Sequence, residues 1–456
     1  KDPQVAYVPL LNVLPDYHGR KVGKQLLRYC VEQAIKKEYR RLDLGTWPGN
    51  LKAVPLYKKM GFFWEPDTAV HMENYLPLLM QSPIAKEFFK DRDWYECFVR
   101  EKAVREDKET WRDMEVFTYC WQDGEDYLEV KIDRESEGIT SIRHNDLWFD
   151  VWVDRHCCPV GEKNSIHWRL DPRGRKRTFL FQVRGETGLN LERDERVETA
   201  VPWELTLPLK PDGGIELKAE KERAHSIESQ IIYDEKVERY QSGLRLTEVL
   251  EAEWPLGIAE IENDGWYRVW LNLKNRLREE LCGKVRLALP AGFQARVERE
   301  DLNIAPEGNS GLEIALKCEE PGIYEGKVLL EYQSGRERLE ARPQRLPILV
   351  QNYAHTNKGI TEDHAYLTND QLMVKISLKG GGMEVYHKQS KQWMLAVGTD
   401  LLGPPFYPPI LAKEEFEASL VHDKLVLKTV HPKKRYLHME KELTLRGNSL
   451  HTRYRF

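Results

Sequence analysis

The residues best suited to chemistry lie within the first sixty-odd positions. Tyr17-His18-Gly19-Arg20-Lys21-Val22-Gly23-Lys24 is a loop with two glycines and three basic side chains, set directly before a helical run. A loop that feeds a helix N-terminus gathers unpaired backbone N–H groups at the positive end of the helix dipole, and that arrangement binds phosphate. Glycine lets the backbone approach an anion closely. Arg20, Lys21 and Lys24 add positive charge where phosphates would lie. Helices also begin with basic and glycine residues for no catalytic reason, so the loop alone decides nothing. A second stretch, Asn50-Leu51-Lys52-Ala53-Val54-Pro55-Leu56-Tyr57-Lys58-Lys59-Met60-Gly61-Phe62, follows at a short distance.

The elements that must position these residues can be read from periodicity. Residues 5–14 (VAYVPLLNVL) form an apolar, β-prone run closed by Pro15-Asp16, which predicts a buried strand. Leu26, Leu27, Cys30, Val31, Ala34 and Ile35 recur at helical spacing. Arg41 to Trp47 alternates like a strand. Asn50 to Met60 is helical again and stops at Gly61, a C-cap residue. A further short strand fits residues 70–79. This β-α-β-α-β order indicates an α/β unit.

The second stretch resembles the N-x-x-A-x-x-L-Y-x-x-x-G-F signature of the GNAT N-acetyltransferase superfamily, and the loop before it resembles that family's pyrophosphate motif, [QR]-x-x-G-x-[GA]. The resemblance implies acetyl-CoA as co-substrate and transfer of its acetyl group to an amine. It implies that the strand around Leu10 to Val13, with Leu11 and Val13, pairs its backbone with the pantetheine arm. It implies that residues His18, Gly19, Arg20, Lys21, Val22, Gly23 and Lys24 hold the pyrophosphate and that Asn50 hydrogen-bonds the pantetheine region. Tyr57 takes the place of a phenol near the sulfur, where a neutral tyrosine can protonate the leaving thiolate. For Tyr57 the plainer alternative is a core aromatic on an amphipathic helix; for His18 it is a loop residue without a special role. His18 stands where the family has Arg or Gln, and Lys21 stands where it has its first glycine, so the loop must adopt a backbone open to non-glycine residues. The family's first strands and helices have no counterpart before residue 5, and both termini read as cuts through folded domains.

The rest of the chain reads differently. Ser82-Pro83 opens a helix predicted over Ile84 to Arg105. Beyond residue 112, short alternating runs such as Tyr127–Ile132, Leu147–Val153 and Thr178–Val183 predict sandwich-type β domains. Tyr267–Leu273, Lys284–Pro290 and Gly322–Leu330 serve as strands of a sandwich over 254–352 that is similar to Ig-like modules accompanying glycosidases. From Asp363 onward, through Gly380-Gly381-Gly382 and Leu401 to Phe406, the chain weakly resembles the opening of galactose-mutarotase-like supersandwiches. Neither β resemblance includes a catalytic motif. The expected fold class is therefore multidomain, a partial GNAT α/β fold followed by tandem β-sandwiches. Its divisions are 1–80 (acetyl-CoA-binding half), 81–112 (connecting helix), 113–253 (β-sandwich), 254–352 (Ig-like) and 353–456 (mutarotase-like start).

Composition excludes several alternatives. Charged residues are 31% of the chain but balance to -5, so no basic field gathers nucleic acid. Arg173-Gly174-Arg175-Lys176-Arg177 reads as a solvated hairpin turn. The seven cysteines form no CxxC pair, which predicts no metal site and a reducing, cytoplasmic setting. No apolar run approaches the ~20 residues needed to span a bilayer. The expected partner is a small-molecule or carbohydrate-linked amine. The alternative function is a carbohydrate-binding or scaffold β-sandwich protein whose acetyltransferase half is degenerate.

Overall fold

The computed structural model describes residues 3–218, 222–334, 337–352, 355–400, 410–432 and 434–456. These fall into two compact units, Lys1–Thr247 and Glu248–Phe456.

The first unit opens with β1 (Val5–Val8), α1 (Val22–Lys36), β2 (Arg41–Gly45), α2 (Ala53–Lys59), β3 (Phe62–Trp64) and β4 (His71–Asn74). The sheet order is β1-β2-β4-β3. β1 and β2 run parallel from Val5↔Arg41 to Val8↔Leu44, and β4 is antiparallel to both β2 and β3. α1 forms because Leu27, Val31 and Ala34 share one face, and that face is fully buried. Burial stabilises such aliphatic side chains by ~1.5–3 kcal/mol each for Leu and Val. The strand predicted over residues 5–14 is thus paired only to Val8. Past it the chain still alternates, with Leu11 and Val13 half-buried and Leu10 and Leu14 exposed.

α2 is shorter than the predicted Asn50 to Met60, and it ends as expected at Gly61. Gly61 has φ +91°, and a Cβ there would lie 2.8 Å from Leu76 Cδ1, so both backbone and packing require glycine. The strand predicted at 70–79 gives way after Asn74 to a helical turn, α3 (Leu76–Leu79), in which Asn74 Oδ1 accepts from the Leu76 N–H.

The helix predicted over Ile84 to Arg105 is confined to α4 (Pro83–Phe88). Its start is as read: Ser82 Oγ accepts from the Ala85 N–H at 3.3 Å. Beyond its end Asp93 forms a local turn, its carboxylate accepting from the Tyr95 N–H at 2.8 Å, an alternative that competes with helix. Trp94 and Phe98 are then drawn into the core beside Trp121. Phe98–Val99 becomes β5, at the edge of an eight-stranded sheet.

That sheet faces a five-stranded one whose central strands are Lys236–Thr247, His225–Tyr233 and Arg177–Gly185. Phe149, Trp168, Phe181 and Tyr240 meet between them. The basic run at 173–177 is not a hairpin turn. It carries the chain from Asn164–Asp171 in one sheet to Arg177–Gly185 in the other.

The second unit holds a four-stranded and a six-stranded sheet built from Leu250–Gln351, then a five-stranded and a four-stranded sheet from Asn357 onward. The last two share one apolar core, with Leu367, Val374 and Ile376 from one and Leu425, Leu427 and Leu443 from the other. Leu401 to Phe406 lies outside the described residues. No helix among the described residues is long and apolar enough to cross a membrane.

Candidate functional site

Parallel strands place a crevice outside their carboxyl ends. Here pairing stops at Val8↔Leu44, and the two loops carrying the predicted site residues leave from that end of the sheet. After residues 9–14 the chain makes one 3₁₀ turn, Pro15–Tyr17, and enters α1 through His18 to Lys21.

The Gln25 N–H is the first to bond back to the helix start, donating to Lys21 O at 3.1 Å. The amides of Val22, Gly23 and Lys24 therefore have no intrahelical acceptor. α1 is 15 residues long, so its dipole is substantial at these amides. Gly19, at φ +77°, has nothing within 4 Å of a Cβ position, which leaves the loop open on that side.

Lys21 is the N-cap, with φ 60° and ψ 13° and no capping side-chain bond. A left-handed backbone costs a non-glycine residue roughly 1–2 kcal/mol. The loop thus keeps the conformation that glycine favours, with lysine in it. The His18 ring folds back onto the extended segment after β1, its Nε2 2.9 Å from Val13 O. Because a carbonyl only accepts, Nε2 carries the hydrogen. Among the cations, Lys24 lies 3.8 Å above the Tyr95 ring and 3.7 Å from Glu96, and Arg20 stacks on Tyr17 at 5.4 Å.

On the loop that follows β2, Asn50 is half-buried. Its Oδ1 accepts from the Ala53 N–H at 3.3 Å and its Nδ2 donates to Thr46 Oγ1 at 3.0 Å. Both groups therefore shape the entry to α2. Tyr57 is only 8% exposed, with its ring 6.3 Å from that of Phe62. Burial raises its pKa above the ordinary phenol value, so it is a protonated donor at neutral pH. Its hydroxyl makes no hydrogen bond among the described residues. Leu10, Leu14, Tyr17, Trp47 and Leu51 are all at least half exposed and give these two loops an apolar surface.

A charged cluster that the sequence reading passed over lies on the same sheet. The Arg41 guanidinium holds Asp43 (2.7 and 3.0 Å), Glu73 (2.8 Å) and Glu137 (2.7 Å), and the Tyr75 hydroxyl donates to Glu73. Burial pushes the Asp43 carboxyl up to about 6, although Arg41 draws it down. Asp43, His71 and Glu73 have the types and spacing of a metal set, but the cation these carboxylates hold is Arg41 itself. The available signal was two i, i+2 charged pairs, Arg41/Asp43 and His71/Glu73, in short apolar strands.

None of the seven cysteines is in a disulfide. No curated protein sequence matches the chain. Among solved structures, a C. elegans MSP family member is 10% identical over 23% of this chain and 100% of its own, with a TM-score of 0.19. Salmonella alpha-2-macroglobulin reacted with methylamine is 11% identical over 54% of this chain and 23% of its own, with a TM-score of 0.23. Red sea bream transglutaminase is 13% identical over 46% and 32%, with a TM-score of 0.22. This chain thus spans less than a third of the length of either of the last two. The segment that builds the loop, α1, β2 and α2, residues 1–62, matches the family model described as the acetyltransferase (GNAT) family.

Proposed function

We propose that the chain is an acetyl-CoA-dependent N-acetyltransferase, acting on a small-molecule or carbohydrate-linked amine in the cytoplasm, and that Ig-like and mutarotase-like sandwiches accompany the transferase region. The observation that carries this reading is the row of amides at Val22, Gly23 and Lys24 left without an intrahelical acceptor at the start of α1, in a segment whose second helix carries Tyr57 as a protonated phenol. The donor set suits a diphosphate, since backbone N–H groups at a helix start need an anion and lysine and arginine stand beside them. Acetyl-CoA supplies an activated thioester carbonyl when bound. Leu11 and Val13 orient the pantetheine arm through their backbone, assisted by Asn50. Tyr57 gives its proton to the departing sulfur as the amine nitrogen bonds to the acetyl carbon and the carbon–sulfur bond breaks. The amine's own proton passes to water.

A second reading is favoured by a different observation. The His18 and Asn50 side chains are both engaged with their own loops, as expected of a carbohydrate-binding or scaffold protein with a degenerate transferase half. Calorimetric titration of the whole chain with acetyl-CoA, combined with turnover of Tyr57→Phe on a panel of amines, separates the two. The transferase reading expects saturable binding, unchanged in Tyr57→Phe, with turnover lowered ~100-fold or more by loss of the acid. Absence of binding favours the scaffold.

A further inference from the structure

The first unit contains a cavity of about 260 Å³ that the transferase reading does not use. Gln4 and Arg40 line it, each one residue before β1 or β2, so it opens at the amino ends of the parallel pair. The acetyl-CoA loops leave from the opposite end. Its other wall is the outer face of the five-stranded sheet, where Glu228 pairs with Gln241 and Gln230 with Arg239 across adjacent strands.

The wall is organised in advance. Arg40 donates to Gln241 Oε1 at 2.7 Å and to the carbonyls of Ser136 and Glu137. The Gln241 amide passes the chain on, its Nε2 donating to Glu228 Oε1 at 2.9 Å. Gly138 makes this possible, because a Cβ there would fall 2.4 Å from Gln241 Cβ. Beside this fixed relay, the side chains of Gln230 and Arg239 make no hydrogen bond or ion pair among the described residues. Three engaged groups and two unengaged ones therefore line the same cavity.

The chemistry of that face selects its ligand. Its charged members, Arg40, Arg239, Glu38 and Glu228, cancel, so neither a strong anion nor a cation is favoured. Amides, guanidinium and carboxylate together present both donors and acceptors, which matches hydroxyl groups that do both at once. The volume lies just under the ~300 Å³ at which drug-sized sites begin, which restricts the occupant to one small ring. We propose that this cavity binds a neutral monosaccharide, held by Gln230 and Arg239 against the Arg40–Gln241–Glu228 relay. The site goes beyond the transferase reading and does not depend on it.

Saturation-transfer NMR on the whole chain tests the proposal, with glucose, galactose, mannose and N-acetylglucosamine as neutral probes and glucuronate as the charged one. At least one neutral sugar should saturate with a dissociation constant of roughly 1 mM. The double variant Gln230→Ala/Arg239→Ala should weaken it at least ~10-fold, about 1.4 kcal/mol, with an unchanged melting temperature, since neither side chain makes a hydrogen bond or ion pair among the described residues. Arg239→Gln alone, at an exposed position, serves if the double variant melts early. Saturating acetyl-CoA should not displace the sugar. Lack of transfer to every neutral probe, undiminished binding in the variants, or tighter binding of glucuronate than of any neutral sugar would each overturn the proposal.

Discussion

The Nε2 of His18 lies 2.9 Å from the carbonyl oxygen of Val13, tying the loop that enters α1 to the end of the extended segment it left five residues earlier. The bond makes His18 a brace for the loop, with its ring directed at the protein. His18→Ala should therefore weaken acetyl-CoA binding roughly fivefold, the worth of about 1 kcal/mol of hydrogen bond. Calorimetric titration of the variant with acetyl-CoA checks this; an affinity equal to that of the native chain would mean the brace does not shape the loop for binding.

Lys21 holds a left-handed backbone at the N-cap of α1. Glycine reaches that conformation without a steric penalty, whereas a β-branched side chain is a severe misfit there. Thermal unfolding should show the Lys21→Gly midpoint at or above that of wild type and the Lys21→Val midpoint below it, with Lys21→Val roughly 1–2 kcal/mol less stable than Lys21→Gly. Equal midpoints for the two would show that residue 21 does not hold φ 60° in solution.

Arg41 bridges Asp43, Glu73 and Glu137, with Arg40 and Arg223 also reaching Glu137 and His71 the other two carboxylates, and the Arg41 side chain is 12% exposed. Glu137 precedes the strand Gly138–His144 of the sandwich, so the cluster joins the α/β sheet to the β region within the first unit. Removing one partner of a buried ion pair costs about 3–5 kcal/mol because the remaining charge is left without compensation. Arg41→Ala should lose about that much in denaturant unfolding. A loss under ~1 kcal/mol would place the cluster among surface pairs in energetic terms.

His156 Nε2 lies 3.4 Å from Asp133 Oδ1, with both side chains buried. Burial opposes charging of His156, but Asp133, with Glu135 and Asp113 behind it, outweighs burial and raises its pKa. Burial likewise opposes ionisation of Asp133, and His156, Ser136 and the Gly243 amide outweigh it and lower that pKa. A raised histidine contributes stability in full below its unfolded pKa of ~6.5 and loses it as pH rises through the folded value; a lowered aspartate contributes above ~3.9 and loses it as pH falls. The pair is thus most stabilising between about pH 4 and 6.5. The first unit's melting temperature should decline from pH 6 to pH 9 more steeply in the native chain than in His156→Gln, and parallel declines would exclude the pair as the cause.

Periodicity made the elements of the opening α/β sheet legible, because α1 has an apolar stripe and Gly61 a specific backbone demand. It failed where tertiary contacts override local preference. The run Ile84 to Arg105 looks helical residue by residue, yet Asp93 offers the chain a turn and Trp121 offers Trp94 and Phe98 a core. Strand alternation in the β region was readable, as at Leu147–Val153, but which strands share a sheet was not, since pairing such as Asn164–Asp171 with Trp203–Leu209 spans a segment that belongs to the other sheet. The site's residue types could be listed from sequence. Where His18, Asn50 and Lys24 direct their side chains could not, because each turns on a neighbour fixed only by folding.

The most direct test is transverse-relaxation-optimised NMR of the backbone amides of Gly19, Val22, Gly23 and Lys24 in the whole chain, titrated with acetyl-CoA and separately with S-acetyl-pantetheine. If the start of α1 binds the diphosphate, acetyl-CoA shifts these amide resonances saturably and the nucleotide-free thioester leaves them in place. Amides that stay fixed through the acetyl-CoA titration, or move equally with both compounds, would contradict the account.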